Sequence, residues 1–359
     1  PSGAPEPPGA PAPGSPGGEA RARRASGPFP GRAPGAPRPA GEEHDTPAGA
    51  SAREAEAEAE AVARLLALPG SASTSIGGPR DGRLEGGVAL PAAGPGFRGN
   101  PRRPNPSARF GTVELVQALV GAAAVVGDAL PGSTLVVNDL GFREGGPIPH
   151  HGSHRAGRDV DVLFYLVDAE GRPVDSVGAF LAPRGRGVDF RDLAVRDDDV
   201  DVVLDAERTW RFVQALIEGP SGPHLPRVFV AEHLRALLLE AAERADAPAA
   251  ARERFGAITC QPGYPHDDHL HLRFYCTPED LGRGCEDSGP TYRWRRDELA
   301  ALGLEPVINR PRPDRPRSAR TSPEEARAAA GPMHRRVEAW LARRQAWMSR
   351  PHPGRLFCR

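Results

Sequence analysis

The sequence predicts an α+β fold: a small central antiparallel sheet flanked by helices, between N-terminal and C-terminal extensions that are disordered or loosely packed. Three observations predict it. Strand-like and helix-like periodicities are mixed along the chain without a regular βαβ beat. Apolar residues are dense only between about residues 73 and 290. Gly (42) and Pro (41) make up nearly a quarter of the 359 residues, so much of the chain falls outside any core.

Residues 1–50 are Pro, Gly, Ala and Ser with scattered charges. Such a segment buries too little apolar surface to offset its ordering entropy and reads as disordered. Residues 52–68, AREAEAEAEAVARLLAL, form a strong helix pattern stopped by Pro69-Gly70, either isolated or docked on the domain. Residues 111–130 place Val113, Val116, Leu119, Val120, Ala123 and Val126 at helical spacing. Residues 133–141 and 159–167 read as strands. Residues 206–219 and 231–245 read as helices around a strand at 227–230. Residues 255–261 and 269–276 read as two strands joined by a Pro/Gly/Asp turn. Beyond about Pro290 the chain is Arg/Pro-rich, with one amphipathic helix near 322–348. The organisation expected is an extension over 1–72, a folded domain over 73–290 and a tail over 291–359.

Net charge is −1 and every basic residue is Arg, so charge points to no nucleic-acid or anionic-membrane partner. There is no apolar run of membrane-spanning length. The chain opens on Pro1 without a charged-then-apolar leader, so any signal peptide is expected to be already removed. Cys276 and Cys285 enclose the polar segment TPEDLGRG as a small disulfide loop does, which favours an oxidising compartment; two free buried thiols are the alternative.

Six of the 11 histidines sit in two clusters: His150, His151 and His154, then His266, His269 and His271. In a strand, residues two apart share a face, so His269 and His271 project together while Leu270 and Leu272 turn inward. Asp159 and Asp161 share a face in the same way, with Val160 and Val162 behind. Two such strands side by side bring His271, Asp161 and the preceding loop's His154 to one point. Two imidazoles and a carboxylate suit a zinc ion whose fourth position stays open for water, the pattern of a catalytic site. His269, on the same face as His271, is the expected base. No H-E-x-x-H helix exists, so a Glu-based metalloprotease plan is excluded. An H-x-H pair alone is a weak signal; the coincidence of both clusters at strand starts carries the expectation.

These residues carry a resemblance. SHRAGRDVDV followed by HLHLR resembles the penicillin-insensitive murein endopeptidases, part of a larger group that includes lysostaphin, D-Ala-D-Ala peptidases and the Hedgehog signalling domain. STSIGG, DGRLEGGVALP, LVVNDLGFREGG, RVFV and CTPEDLGRGCED follow in the family's order, and the resemblance covers roughly 73–290. It implies one zinc ion held by His154, Asp161 and His271, with His269 as catalytic base. It also implies His151 and His266 as residues near substrate or oxyanion. No Asp-x-x-His between 162 and 260 completes a second metal site, so a single zinc is expected. The family's Cys276–Cys285 disulfide is implied, with Cys260 and Cys358 left open. The implied substrate is peptidoglycan stem peptides, cut at the D-alanyl–meso-diaminopimelate cross-link in the periplasm. A D,D-carboxypeptidase or dipeptidase, and a zinc-binding cell-wall module without catalysis, are the alternatives.

Other polar groups carry plainer readings. Asp159 reads equally as a group orienting a ligand and as a surface or capping carboxylate. Arg158 and Arg273 read first as surface ion pairs, with pairing to a substrate carboxylate or to Asp159 as the alternative. Asp197, Asp198, Asp199, Asp201 and Asp205 lack the Gly and Glu of a calcium loop and read as a solvated turn before a helix. His334 and His352 in the tail read as solvated.

Overall fold

The computed structural model describes residues 47–103, 105–310, 322–349 and 358. The Pro/Gly-rich segment before Pro47, read as disordered, lies outside the described residues, as does His352.

A seven-stranded sheet forms the centre. Its strands are β1 (Ala93–Gly94), β2 (Phe97–Gly99), β3 (Leu135–Val137), β4 (Asp159–Leu163), β5 (Arg227–Phe229), β6 (Thr259–Cys260) and β7 (His269–Arg273). Their spatial order is β6-β5-β7-β4-β3-β2-β1. This corrects the small antiparallel sheet expected. The sheet is larger and mixed, because β2 runs parallel to β3 and β5 parallel to β6. Each parallel pair is joined through helix, as a parallel connection requires. Helix α2 (Val113–Ala129) lies between β2 and β3; α4 (Glu232–Arg244) and α5 (Ala249–Ile258) lie between β5 and β6.

The reading of 255–261 as a strand beside 269–276 is therefore wrong on two counts. The helix-forming run AAARERF carries α5 through Ile258, leaving two residues for β6. Strand β5 lies between β6 and β7.

The main apolar core lies between the sheet and its helices, with a smaller cluster formed by Cys276, Leu281, Cys285 and Leu299. α3 (Ala206–Glu218) packs against α2, α4 and α5. It inserts the fully buried Trp210 and Phe212, with Trp210 edge-on to Phe255 at 5.3 Å. Asp205 caps α3 by accepting from the Arg208 amide at 3.0 Å. Helix α1 (Pro47–Leu66) docks rather than standing alone: Val62 and Leu65 are buried, and Gln117 Nε2 donates to the Leu65 and Leu68 carbonyls.

A second, four-stranded sheet runs in the order Pro173–Val174, Leu166–Val167, Val200–Leu204, Arg186–Asp189. The acidic run begins in a turn at Asp197 and Asp198, as expected, and then passes through the strand Val200–Leu204 to Asp205, the cap of α3. A short helix, α6 (Pro278–Gly282), precedes the tail, whose described residues form three helices, α7 (Arg293–Ala301), α8 (Pro323–Ala330) and α9 (Arg335–Ser349). Gly331, at φ 73°, and Pro332, which lacks an amide proton, break the single helix expected over 322–348. Val337 and Trp340 of α9 are buried.

Both pairs of cysteines are joined, Cys276 to Cys285 and Cys260 to Cys358. The first pairing is the one the resemblance implied; the second was open.

Candidate active site

Antiparallel strands β4 and β7 are neighbours at the middle of the sheet, and their register sets the site. Asp161 lies opposite His271, Asp159 opposite Arg273, and Leu163 opposite His269. With the strand period of two, Asp159, Asp161, His269, His271 and Arg273 share one face, while Val160, Val162, Leu270 and Leu272 enter the core. Directly opposed and diagonal pairs then meet. His271 Nδ1 is 3.2 Å from Asp161 Oδ1, and His269 Nε2 is 3.5 Å from the same oxygen.

The loop before β4 supplies two more imidazoles. His154 Nε2 lies 3.4 Å from Asp161 Oδ1, and His151 Nδ1 lies 3.5 Å from Asp161 Oδ2. His154 has a left-handed φ of 67°, and three of the four non-glycine residues in that region among the described residues are His150, His154 and His266. Strained backbone that the surrounding structure enforces is typical of functional loops. Gly157, at φ 72°, turns the chain back into β4; a Cβ there would meet the Leu84 side chain at 2.7 Å, which accounts for the glycine in SHRAG.

Hydrogen bonds fix which nitrogen of each ring faces Asp161. The Leu140 carbonyl only accepts, so His154 Nδ1 donates to it at 2.7 Å and Nε2 faces the carboxylate. His271 Nε2 donates to Asp159 Oδ1 at 2.9 Å, leaving Nδ1 for the site. His269 Nδ1 donates to Asp268 Oδ1 at 2.8 Å, leaving Nε2. His151 Nε2 donates to Asp139 Oδ2 at 3.0 Å, leaving Nδ1. Four ring nitrogens, each open to a proton or a cation, converge on one buried carboxylate. Among the described residues His154 Nε2, Asp161 Oδ1 and His269 Nε2 are buried without a hydrogen-bond partner.

That donor set fits a zinc ion. Ligand atoms about 2 Å from a tetrahedral ion lie about 3.3 Å from one another. The separations of Asp161 Oδ1 from His271 Nδ1 (3.2 Å) and His154 Nε2 (3.4 Å) match that edge. The ligand-type atoms of His151, His154 and Asp161 also form a group within 4.8 Å of one another.

Electrostatics follow the same geometry. Burial favours the protonated form of Asp161, but His269, His154 and His271 outweigh it and hold its pKa well below the ordinary range. Burial would lower His269, yet Asp268 and Asp161 hold it well above its ordinary value. Burial, only partly offset by Asp161, pushes His271 down to about 4. Burial beside His269 and His271 pushes His266 down to about 3. His266 Nδ1 donates to the Tyr264 carbonyl at 2.8 Å, and its ring centroid is 4.8 Å from that of His269. His150 stays exposed.

Asp159 is buried, and the structure makes it an orienting group. Besides His271, Oδ1 accepts from Arg273 Nε at 2.6 Å, and Oδ2 accepts from the His154 amide at 3.2 Å. Arg273 and Arg158 are thus buried instead of forming surface pairs, and Arg273 takes the alternative partner, Asp159. Arg158 donates to Ser75 Oγ and to the carbonyls of Phe274, Gly77 and Glu286. Burial pushes the Asp159 pKa up, but Arg273 and His271 hold it below the ordinary carboxylate range. That stabilisation is complete above an unfolded pKa of about 4 and is lost only as pH falls below it. Asp159→Asn strands the Arg273 charge in the interior. We expect a loss of about 3–5 kcal/mol in urea unfolding at pH 7, with zinc affinity about 10–100-fold weaker by chelator competition.

Sequence reasoning missed three participants. Asp139, fully buried, accepts from His151 and from Asn105 Nδ2 (2.8 Å); Asp268 orients His269. Asp268 had a local signal, its place directly before the H-x-H pair. Asp139 and Asn105 had none.

A mixed sheet carrying a buried imidazole–carboxylate cradle for a cation defines the class. The chain belongs to the penicillin-insensitive murein endopeptidase family, whose model matches residues 75–326. A penicillin-insensitive murein endopeptidase of Klebsiella pneumoniae subsp. pneumoniae is 26% identical over 225 residues, 62% of this chain and 72% of that protein.

Proposed function

We propose that this chain is an exported, zinc-dependent murein endopeptidase that hydrolyses D-alanyl–meso-diaminopimelate cross-links of peptidoglycan, its catalytic unit spanning residues 73–290. Family membership and the Klebsiella relative support the substrate class. The single observation that carries the chemistry is the convergence of ring nitrogens on Asp161 Oδ1. Two disulfides agree with an oxidising compartment such as the periplasm. No helix among the described residues is long and apolar enough to cross a membrane.

His154, Asp161 and His271 would hold one zinc ion. When bound, zinc supplies Lewis acidity, lowering the pKa of a water to about 7 and polarising an amide carbonyl. His269 Nε2, the nitrogen that Nδ1–H donation to Asp268 leaves facing the site, accepts the water proton in its neutral form and returns it to the leaving amine. His266 Nε2 and His151, at the rim of the cluster, are the substrate-facing groups. Asp159 fixes the His271 ring, and the Leu140 carbonyl fixes His154.

A second reading exchanges His271 for His151 as the third ligand, favoured by the compact His151–His154–Asp161 group. A carboxylate stands behind both rings, Asp159 behind His271 and Asp139 behind His151. The first set is favoured because His271 and His154 face the same oxygen, Asp161 Oδ1, at 3.2 and 3.4 Å, whereas His151 faces Oδ2 at 3.5 Å.

The test is mass spectrometry of purified muropeptide dimers incubated with the full chain. We expect dimers to split into monomers, chelator to stop this, added zinc to restore it, and a β-lactam to have no effect, because no serine is acylated. Intact dimers, with or without loss of a terminal D-Ala, sink the endopeptidase reading; chelator-resistant splitting sinks the zinc.

A further inference from the structure

Helix α9 lies beyond the family match, yet it reaches the loop that carries the proposed base. Its first turn is anchored on the acidic run. His334 and Arg336 meet Asp199 at 3.2 and 3.1 Å, and Arg336 also pairs with Asp201. The acidic run is thus a docking edge for the tail, and His334 is not solvated as expected. One face of the helix then buries Val337, Trp340 and Arg344.

Arg344 makes a two-pronged ion pair with Asp267. Nε donates to Oδ2 at 2.9 Å and Nη2 to Oδ1 at 2.6 Å, while Nη2 also reaches Tyr264 Oη at 3.1 Å. Its guanidinium sits 3.8 Å above the Phe180 ring. The planar fork matches a carboxylate as a lysine does not. A second tie from the tail holds the start of the same loop: Cys358 is bonded to Cys260, and its amide donates to the Gln261 carbonyl at 3.0 Å. Residues 261–267 are therefore held at both ends by chain from outside the family match. The body of the protein adds backbone bonds from Leu181 to the Asp267 carbonyl (2.7 Å) and from Ala231 to that of His266 (3.0 Å).

Asp267 immediately precedes Asp268, the carboxylate that orients His269. Two neighbouring carboxylates repel, and each is given its own partner, Asp267 by Arg344 and Asp268 by His269 Nδ1. The geometry points to Arg344 as a positioning residue: by clamping Asp267, it holds Asp268 against His269 and so aims His269 Nε2 at Asp161. The inference rests on the reading of His269 as base in a zinc endopeptidase. It adds that the C-terminal tail of this chain is part of the catalytic apparatus.

The test uses the full chain carrying Arg344→Ala, Arg344→Lys, and Arg344→Met combined with Asp267→Asn, which leaves no unpaired charge if Arg344→Ala fails to fold. Two readouts are needed. With zinc-loaded protein and muropeptide dimers, we expect kcat to fall about 10–100-fold in Arg344→Ala and in the double variant. KM and zinc stoichiometry should stay within about twofold, and Arg344→Lys should recover part of kcat through its charge. Nitrogen NMR of the imidazoles provides the second readout. In the wild type the His269 ring should be the Nδ1–H form bonded to Asp268; in Arg344→Ala and in the double variant it should average between forms. An unchanged His269 ring signal in both overturns the clamp. A wild type inert on dimers, with the ring signal still moved by Arg344→Ala, overturns the endopeptidase reading and leaves the clamp standing.

Discussion

His269→Ala is expected to lower kcat on muropeptide dimers by about 10²–10⁴-fold, the contribution of a positioned base, with zinc still bound at one per chain. The separation of the two effects follows from geometry. His269 approaches Asp161 Oδ1 at 3.5 Å but its own support is Asp268, outside the set of His154, Asp161 and His271. Asp268→Asn gives the graded version. Asp268 raises the pKa of His269, so removing its charge lowers that pKa. Because the base works only unprotonated, the acid limb of kcat/KM moves to lower pH, while the weaker base lowers kcat. The pH profile and zinc content, measured together, check this; full turnover by His269→Ala, or an acid limb that moves upward in Asp268→Asn, rejects the assignment.

The central pair of strands was readable because its chemistry lies in the two-residue period. D-x-D and H-x-H, with Val and Leu between, put every polar group on one face without any knowledge of register. What the period does not contain was lost. Asp139 follows a three-residue strand and reaches His151 only because β3 lies beside β4. Arg158 and Arg273 were read as surface groups because charged side chains are rarely fully buried. Their burial depends on partners more than a hundred residues away, Phe274 and Glu286 for Arg158, Asp159 for Arg273.

The sheet was underestimated for a related reason. Strands of two or three residues, such as Ala93–Gly94, Phe97–Gly99 and Thr259–Cys260, are too short to show a period. The two crossover units were hidden by them, although α2, α3 and α4 were legible from their apolar spacing. The tail was misjudged by composition. An Arg-rich surface stretch and a docked helix look alike until Asp199, Asp201 and Asp267 are found opposite Arg336 and Arg344.

Asp161→Asn is expected to abolish both zinc binding and turnover. Asp161 is the one group that every inward ring nitrogen of the cluster faces, and in the proposed centre its oxygen is the anionic ligand. An amide keeps the shape but offers no charge to offset a dication in a buried site. The same experiment divides the two ligand sets. If His154, Asp161 and His271 bind, His271→Ala strips zinc while His151→Ala retains it; the opposite pattern selects His151. Acid should release the metal as well. His154 is buried, which lowers its pKa, but Asp161 and Asp159 outweigh this and raise it above its ordinary value. Below that pKa a proton occupies the nitrogen zinc requires, so affinity is level on the alkaline side and falls as pH drops through it. Titration against a chromophoric chelator from pH 8 to pH 5 reads this directly. An affinity that rises on acidification, or zinc held at full stoichiometry by Asp161→Asn, removes the basis of the proposed centre.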